Sequence, residues 1–358
     1  QSSGIAPPVA LYFASPAMAG RTMHAVQYDG YGGGAAGLKH VEIQVPSPKK
    51  DEVLLRVEAA SINQIDWKIQ KGVMRPLMPP KFPFVPVTDV AGEVVEVGPG
   101  VHNFKPGDKV VSMLNFRNAG GLAEYAVASV NITVDRPPEV SAAEGASLPI
   151  AALTALQAVR YGGTKFDGTG QPRNVLITAA SSGVGSFAVQ LAKLGNLHVT
   201  ATCGARNIDL VKRLGADEVL DYKTLEGKSL SSPSGRKYDV VIHCTVGISW
   251  STFEPNLAAN GVVIDLTPTP WTWFHSMVKR LTFAEKKLVP LLIFAHDKED
   301  LRFLVQLVQD GKVTTVVDSR HQLSEAAAAW AKSMEGHATG KIIVEMGGEE
   351  AMAPVVAG

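Results

Sequence analysis

Residues 174–185 read Asn174-Val-Leu-Ile-Thr-Ala-Ala-Ser-Ser-Gly-Val-Gly185, and this stretch decides the fold. An apolar run ends in small residues, and a helical pattern then begins at about Gly183 and continues to Leu194. This order predicts a strand, a tight turn and a helix whose N-terminus opens onto the turn. Such a terminus presents unpaired N–H groups and a positive dipole, so it can bind a pyrophosphate. Of the dinucleotide fingerprint G-x-G-x-x-G only the last glycine, Gly185, is in register, so the glycine pattern alone fits simple packing equally well.

The segment that follows indicates which dinucleotide would bind. A second strand is predicted at 198–202, as the next element of a βαβ unit. An NAD-binding fold carries an acidic residue near the end of that strand, but this chain has Cys203-Gly-Ala followed by Arg206. Gly204 leaves room for a 2′-phosphate and Arg206 can form a forked contact with it, so NADPH is the predicted cofactor. The alternative is that Arg206 only caps or solvates the next helix.

Composition is that of an ordinary enzyme with a large core. The 358 residues allow two domains, 46% are hydrophobic and 19% are charged. Lys plus Arg and Asp plus Glu both number 34, so no basic field favours nucleic acid. The two cysteines, Cys203 and Cys244, have no metal-ligand spacing and are too few for a disulfide scaffold. The longest apolar stretch, 288–295, contains Pro290 and fits a buried element better than a peripheral membrane contact.

The chain is predicted to be α/β. Short alternating segments between 23 and 135, broken by glycine and proline, predict a β-rich, barrel-like domain. A helical stretch covers 141–159, and from 174 to 266 strands and helices alternate as in a doubly wound parallel sheet. Helical stretches are expected again after about 285, and then a final strand at 341–345. The predicted organisation is a disordered leader at 1–20, a substrate domain of 21–149 and 285–346, a dinucleotide-binding domain of 150–284 and a tail at 347–358.

Seven short motifs occur in a specific order along the chain. They are Asp89-Val-Ala-Gly-Glu-Val-Val-Glu-Val-Gly, Phe104-Lys-Pro-Gly-Asp-Lys-Val, Gly121-Leu-Ala-Glu-Tyr, Leu148-Pro with Leu153-Thr-Ala-Leu, Ala179-Ala-Ser-Ser-Gly-Val-Gly, Leu214-Gly-Ala-Asp and Thr339-Gly-Lys-Ile. Together they resemble the zinc-free quinone oxidoreductase branch of the medium-chain dehydrogenase/reductase superfamily over residues 21–345. Segments 23–25, 31–37, 66–72 and 201–207 are similar in particular to its plant chloroplast-envelope members.

The resemblance implies a GroES-like barrel domain joined to a Rossmann domain. It also implies an NADPH-dependent reductase of quinones and, as the preferred interpretation, of conjugated enones such as oxylipin ketols. Two alternatives stay open: a reductase of simple quinones or short alkenals, and a non-catalytic NADPH-binding protein. The implied location is the chloroplast envelope as a peripheral protein, or otherwise a soluble intracellular compartment. The expected partners are a small-molecule enone or quinone and no nucleic acid, with a peripheral membrane contact as an option and a monomer or homodimer as the assembly.

Zinc is expected to be absent. Metal-dependent relatives carry a cysteine in the segment that is here 62–66 and a His-Glu pair where this chain has Val87-Thr-Asp89. Residues 18–202 contain no cysteine, so soft zinc ligands are missing there. The adjacent pair His243-Cys244 is predicted to be a core pair. Without a metal, an enone is a suitable substrate, because it accepts hydride at the β-carbon and delocalises the charge as an enolate.

The resemblance also assigns site residues. Asn63 is implied to orient the substrate or the nicotinamide amide, and Asp66 to fix the loop, with a turn or cap role as its alternative. Tyr222 is implied to lie near the 2′-phosphate and Lys341 to contact the cofactor, although packing explains either. Ser182 replaces the glycine usual in this branch and would crowd the pyrophosphate. The predicted cofactor-binding set is Ala180, Ser181, Ser182, Gly183, Val184, Gly185, Gly204, Arg206, Tyr222, Thr245, Thr267 and Lys341.

Large aromatic residues are the candidates for a substrate pocket. Trp271, Trp273 and Phe274 follow a predicted strand at the carboxyl edge of the sheet, where ligands bind. They would wall a pocket for a long apolar substrate, and an interface or core role is the alternative. Trp67 is the fourth predicted pocket residue.

Overall fold

The computed structural model describes residues 20–75, 80–167, 169–292 and 298–347. Nearly all of the predicted leader and tail therefore lies outside the described residues. The first part of the chain forms the expected short strands. They are β1 (Thr22–Gln27), β2 (Lys39–Gln44), β3 (Glu52–Ile62), β4 (Asp89–Val97), β5 (Lys109–Met113), β6 (Tyr125–Ser129) and β7 (Thr133–Asp135). β1 and β2 pair antiparallel on either side of the glycine-rich turn.

Strand β3 is the centre of the barrel-like sheet. One edge of β3 pairs with β4 from Val53 to Ser61. Its other edge pairs with β6 near its start and, near its end, with a strand from the far C-terminus. Alternate side chains of β3 are buried in the core of this domain, among them Val53, Leu55 and Val57.

This part of the chain also forms three helices. Helix α1 (Gln64–Gln70) lies between β3 and β4, and helices α2 (Ala142–Ser147) and α3 (Pro149–Tyr161) follow β7. The single helix predicted at 141–159 is therefore two. Pro149 has no N–H to continue α2, but it is well placed as the first residue of α3. Helix α3 is mostly buried and packs in one core with the helices of the second domain.

The second domain is the predicted doubly wound sheet. Its elements are β8 (Asn174–Ile177), α4 (Gly183–Leu194), β9 (His198–Cys203), α5 (Ile208–Arg213), β10 (Glu218–Asp221), α6 (Leu225–Ser229), β11 (Tyr238–His243), α7 (Trp250–Phe253), β12 (Leu257–Asp265), α8 (Pro270–Leu281) and β13 (Lys287–Pro290). The six strands are all parallel, in the order β10-β9-β8-β11-β12-β13. The strand order reverses between β8 and β11, and such a reversal is the usual ligand site of these sheets.

Strand β13 differs from the expectation. The stretch after 285 was expected to begin with a helix in the substrate domain, but it forms a strand that pairs with β12, Asp265 opposite Pro290. The predicted boundary at 284 thus falls one strand too early. Pro290 suits this place, because β13 is an edge strand and needs no further ladder hydrogen bond there.

The chain then returns to the first domain. The last elements are α9 (Lys298–Gln309), β14 (Val317–Gln322), α10 (Ala326–Glu335) and β15 (Lys341–Glu345). β15 pairs antiparallel with β3 and parallel with β14. In the described ranges we find no helix with the length and apolarity needed to cross a bilayer.

Candidate functional site

A cavity of about 180 Å³ lies between the parallel sheet and the barrel-like sheet. One wall comes from segments that follow β8, β11 and β12, beside the reversal of strand order. The other wall comes from the end of β3, the first turns of α3 and the start of β15. The cavity therefore lies where open α/β sheets bind their ligands.

The N-terminus of α4 faces this cavity. Ser182 caps the helix, and its Oγ accepts a 3.1 Å hydrogen bond from the Gly185 N–H. The N–H groups of Gly183 and Val184, in the first turn, have no intrahelical acceptor, and both residues line the cavity. This first turn is thus a ready site for a phosphate group. Because the Ser182 oxygen already accepts the cap bond, its hydroxyl hydrogen is left to donate, so Ser182 can hold a phosphate as well as crowd it.

Gly185 is the glycine that the fold requires. A Cβ at this position would lie 2.3 Å from the Ala179 carbonyl oxygen and 2.8 Å from Ala180 Cα. Both distances are far inside van der Waals contact with backbone atoms that cannot move aside. The in-register glycine of the fingerprint therefore serves close packing of α4 against the turn that leads from β8.

The opposite wall carries a buried polar cluster of Asn63, Asp89 and Lys341, which we call the buried triplet. Lys341 Nζ donates to Asn63 Oδ1 and lies 4.0 Å from Asp89 Oδ2. Asn63 Nδ2 donates to the same Asp89 oxygen at 2.9 Å and to the Ser61 carbonyl at 3.1 Å. The three residues are only 8%, 0% and 3% exposed, respectively.

The register of the barrel-like sheet explains why the triplet forms. Ser61 on β3 lies opposite Asp89 on β4, and Ile62 lies opposite Ile342 on β15. Asn63 comes directly after β3, so it lies between the first residues of its two neighbouring strands. Asp89 receives a further hydrogen bond of 3.0 Å from the Ile150 N–H at the start of α3.

Asp66 lies one turn further along. Its Oδ2 accepts a 2.7 Å hydrogen bond from the Asn63 N–H at the start of α1. This contact fixes the Asn63 backbone and is also a helix cap, so the two roles considered for Asp66 are one and the same. Burial, with a smaller contribution from nearby Asp89, raises the pKa of Asp66 to about 8, although the Asn63 hydrogen bond and the Lys341 charge oppose the rise.

Burial also governs the triplet itself. It raises the pKa of Asp89 to about 6, while the Lys341 charge and the hydrogen bond from Asn63 oppose the rise. It lowers the pKa of Lys341, although the charges of Asp89 and Asp66 act in the other direction. The ammonium is therefore a stronger acid than an exposed lysine.

The predicted 2′-phosphate residues lie together at the end of β9. The nearest Tyr222 ring atom would be 3.4 Å from a Cβ placed at Gly204. Arg206 Nη2 donates to the His337 carbonyl at 2.6 Å, so it is not merely solvated. Asn207, which the sequence did not single out, bridges Ser181 Oγ at 3.0 Å and Thr339 Oγ1 at 3.1 Å.

Thr245 and Thr267, the predicted cofactor-binding residues that follow β11 and β12, also lie together. Thr267 lines the cavity, and its hydroxyl donates to the Thr245 carbonyl at 2.6 Å. Asp265 holds the Thr267 N–H at 2.9 Å. Cys244 lines the same cavity, and burial together with Asp265 raises the pKa of its thiol to about 12. His243 is buried, with Nδ1 2.9 Å from Thr178 Oγ1, as expected of a core residue.

The aromatic residues predicted for a substrate pocket are placed elsewhere. Trp271, Trp273 and Phe274 lie on α8 and are 65%, 48% and 48% exposed, and none of them lines the cavity. Trp271 stacks on Phe274 on the outer face of the helix, with ring centroids 5.4 Å apart. The inner face of α8 is polar or small: Ser276 is buried there, and Thr272 bonds Asp265. Trp67 packs on the core of the barrel-like domain rather than in the cavity.

Asp89 and Ile150 are site residues that sequence reasoning did not assign. Asp89 appeared only as the first letter of a strand motif and as a position without a zinc ligand. An ionisable residue that opens a buried apolar strand is the signal that could have identified it, because a buried acid needs a partner.

In the described part of the chain, no group of three or more His, Cys, Asp or Glu side chains is placed to hold a metal ion.

These residues fit a nicotinamide dinucleotide. The α4 N-terminus offers N–H donors for the pyrophosphate, and Gly204, Arg206 and Tyr222 stand where the adenosine ribose ends in such folds. On the side of the cavity opposite α4, Asn63 and Lys341 of the buried triplet line the wall.

Comparison with known proteins places these features in context. Residues 49–138 match the family described as "Alcohol dehydrogenase GroES-like domain", and residues 214–344 match "Zinc-binding dehydrogenase". The chain is 64% identical over 329 residues to the chloroplast envelope quinone oxidoreductase homolog of Arabidopsis thaliana, which covers 92% of this chain and 100% of that protein. It is 32% identical to the NADPH-dependent alkenal/one oxidoreductase, chloroplastic, of the same plant, covering 90% and 80%.

A solved structure agrees with the fold. The quinone oxidoreductase from Coxiella burnetii superposes with a TM-score of 0.81 at 31% identity, covering 91% of this chain and 99% of that chain. The two-domain α/β fold predicted from the sequence is thereby confirmed.

Proposed function

Because this chain belongs to the medium-chain dehydrogenase/reductase superfamily, in its quinone oxidoreductase branch, we propose that it is an NADPH-dependent reductase of α,β-unsaturated carbonyl compounds. The bond reduced is the C=C bond, and the physiological substrates are conjugated enones such as oxylipin ketols. The reaction class, an oxidoreductase that uses a nicotinamide cofactor on a small molecule, follows from the family.

The single observation that carries this proposal is the shared cavity. The N-terminus of α4 lines the cavity on one side, and Asn63 and Lys341 of the buried triplet line it on the other, with Asp89 behind them. When bound, the cofactor supplies a hydride at that place. The protein supplies orientation, exclusion of water and a hydrogen-bond donor for the substrate oxygen.

NADPH is favoured over NADH by the end of β9. Gly204 stands where an NAD-binding fold carries an acid, and Arg206, two residues later, has a guanidinium with five N–H donors. One of those donors is used by the His337 carbonyl, which orients the guanidinium. A 2′-phosphate would bind through the others.

Reduction of C=C rather than C=O is favoured by the chemistry of the side chains. The segments where metal-dependent relatives hold zinc here offer Asn63, Asp66 and Asp89, without a thiolate or an imidazole. A charge localised on an alkoxide is stabilised best by a Lewis-acid metal, which these three side chains are poorly suited to hold. In conjugate reduction the charge spreads over an enolate, for which one positioned donor suffices.

A quinone is the second candidate substrate, since the Arabidopsis and Coxiella relatives are named quinone oxidoreductases. A short alkenal is the third, after the name of the alkenal/one oxidoreductase. All three classes present a carbonyl oxygen conjugated to a C=C bond, so the same cavity can serve them.

We place the protein in the chloroplast, since relatives 62–64% identical to it are named as chloroplastic or chloroplast envelope proteins. Peripheral contact with the envelope belongs to the same proposal. The outer face of α8, with Trp271, Phe274 and Leu281 exposed beside Arg280, is the surface for it. Flotation with galactolipid vesicles would measure the membrane contact. Light scattering would measure the molar mass and so distinguish a monomer from a homodimer.

A substrate panel tests the proposed function. Long-chain ketols, short alkenals and quinones are compared in one assay, each with NADPH and with NADH. We expect the highest kcat/KM with an enone and NADPH. A clear preference for quinones would move the assignment to the second candidate. Binding of NADPH without turnover of any class would make the protein a non-catalytic cofactor-binding protein.

A further inference from the structure

Asn63 has no donor left for a substrate. One amide N–H goes to Asp89 Oδ2 at 2.9 Å and the other to the Ser61 carbonyl at 3.1 Å. These two acceptors fix which way the amide faces, so that its oxygen points to Lys341 Nζ and accepts from it. An amide has two N–H donors, and both are now used. The donor expected from Asn63 must therefore come from another side chain.

Lys341 is the side chain in position to replace it. It lines the cavity, and its stem lies against the first turn of α4, with Cδ 3.0 Å from a Cβ built on Gly183. An ammonium has three N–H donors. Within the described ranges, its recorded hydrogen bond is the one to Asn63, and Asp89 at 4.0 Å is an ion-pair partner beyond hydrogen-bond distance. Two donors are thus left beside the cavity.

A purely structural role does not account for this lysine. Lysine is almost never as buried as Lys341, at 3% exposure, unless it is paired, because removing the charge from water is costly. Here the pairing is incomplete, since only the oxygen of Asn63 is bonded to Nζ. Buried N–H donors without a protein acceptor are uncommon, and a bound ligand that accepts their hydrogen bonds is one explanation for them.

We propose that Lys341 is the catalytic acid and oxyanion donor of this protein, binding the carbonyl oxygen of the substrate, with Asn63 and Asp89 as its positioning residues. This rests on the proposed function in that the substrate carries a conjugated carbonyl. It holds equally for an enone and for a quinone, because both develop negative charge on oxygen.

Reduction of an enone adds a hydride to carbon and uses the Lys341 proton on oxygen. A hydride, with its electron pair, bonds to the β-carbon. The C=C π pair then forms a double bond between the α-carbon and the carbonyl carbon, and the C=O π pair moves onto the oxygen. Lys341 hydrogen-bonds this oxygen and gives it a proton, which yields the enol and a neutral amine. The α-carbon then takes a proton from water while the enol oxygen releases its proton to solvent, which gives the saturated ketone, and Lys341 regains its proton from solvent. The substrate gains two electrons and two hydrogens, and the cofactor is oxidised.

The charges that face Lys341 suit this cycle. Burial weakens the hold of Lys341 on its proton, while Asp89 from β4 and Asp66 from α1 favour the ammonium when their carboxyl groups are ionised. A lysine with a pKa below its usual range is a better acid near neutral pH than an exposed one.

The first test measures equilibrium binding, without turnover. p-Nitrophenol is used as the probe, because its phenolate resembles an enolate and absorbs in the visible range. We compare the wild type with Lys341→Met and with Lys312→Met, a substitution at an exposed lysine paired with Asp310. Loss of one charge-assisted hydrogen bond should weaken phenolate binding about 10- to 150-fold in Lys341→Met. Lys312→Met should bind as the wild type does. Equal phenolate affinity in all three proteins would overturn the proposal.

The second test separates an acid from a cofactor contact. Lys341→Arg keeps the charge but cannot lose a proton, so kcat/KM for an enone should fall while its decline at alkaline pH disappears. NADPH affinity, measured by fluorescence, should stay within about threefold of the wild type, since the proposed acid acts on the substrate. A loss of NADPH affinity with an unchanged pH profile would show a cofactor contact instead.

A folding control completes the design. Lys341→Met leaves Asp89 buried without a cation, which can destabilise the protein. The double variant Lys341→Met/Asp89→Asn removes both charges and should melt close to the wild type, yet still fail to bind the phenolate. If the wild type reduces no carbonyl substrate, the proposed function fails, whereas phenolate binding still decides the role of Lys341.

Discussion

The substitution Arg206→Ala should remove the preference of the protein for NADPH over NADH. In the structure the Arg206 guanidinium donates to the His337 carbonyl at 2.6 Å. Gly204, two residues earlier in the chain, lies close to the half-exposed ring of Tyr222. A charge-assisted hydrogen bond to a phosphate contributes about 1.5–3 kcal/mol. Because Arg206 is exposed, solvent screening reduces this to the lower end, so NADPH should bind about 10- to 30-fold more weakly. NADH has no phosphate at this position and should be unaffected.

The assay is a fluorescence titration with each reduced cofactor at two salt concentrations. Arg213→Ala, an exposed arginine on the neighbouring α5, is the matched control and should change neither affinity. The reverse change, Gly204→Asp, should favour NADH. The added Cβ would lie 3.4 Å from the Tyr222 ring, an ordinary contact, and the carboxylate would repel a 2′-phosphate. Equal affinities for NADPH and NADH in the unmodified protein would refute the assignment, and an unchanged Arg206→Ala variant would refute the role of that residue.

Four further outcomes are expected. Gly185→Ala places a Cβ 2.3 Å from a backbone oxygen and should cost about 1–3 kcal/mol or more in thermal unfolding, while Gly30→Ala, with open space around it, should cost little. Asn63→Ala should lower kcat/KM for an enone about 10- to 1000-fold, because Lys341 loses its anchor, and a wild-type rate would contradict this. The raised pKa of Asp66, about 8, means that the folded state holds a proton the unfolded state releases, so the melting temperature should fall as pH rises from 6 to 9 and fall less in Asp66→Asn. Chelators should leave the rate unchanged, and metal analysis should find far less than one equivalent of zinc; stoichiometric zinc would contradict the enone mechanism.

The sequence predicted those parts of the fold that depend on local pattern. The strand, turn and helix around Gly185 follow from an apolar run, small residues and helical periodicity, and they occur as expected. Strand β13 could not be predicted in the same way. Residues 287–290 form a strand because their backbone pairs with β12, a contact set by the sheet and not by the short segment itself.

The site was predictable to the same degree. Motif comparison pointed to Asn63 and Lys341, which are far apart in sequence and meet through hydrogen bonds across the sheet. Their link through Asp89 depends on the register of β3 with β4, which a one-residue shift would destroy. The sequence could not predict which face of α8 packs against the protein. Its pattern shows an apolar face with Trp271 and Phe274, but the side that faces the protein depends on Thr272 bonding Asp265.

The most direct test of the central claim is where the hydride goes. The unmodified protein is given an α,β-unsaturated ketone and NADPH that carries deuterium at the transferable position, and the product is examined by NMR and mass spectrometry. Conjugate reduction in the cavity between α4 and Lys341 predicts a saturated ketone with one deuterium on the β-carbon. An allylic alcohol with deuterium on the former carbonyl carbon would contradict the account.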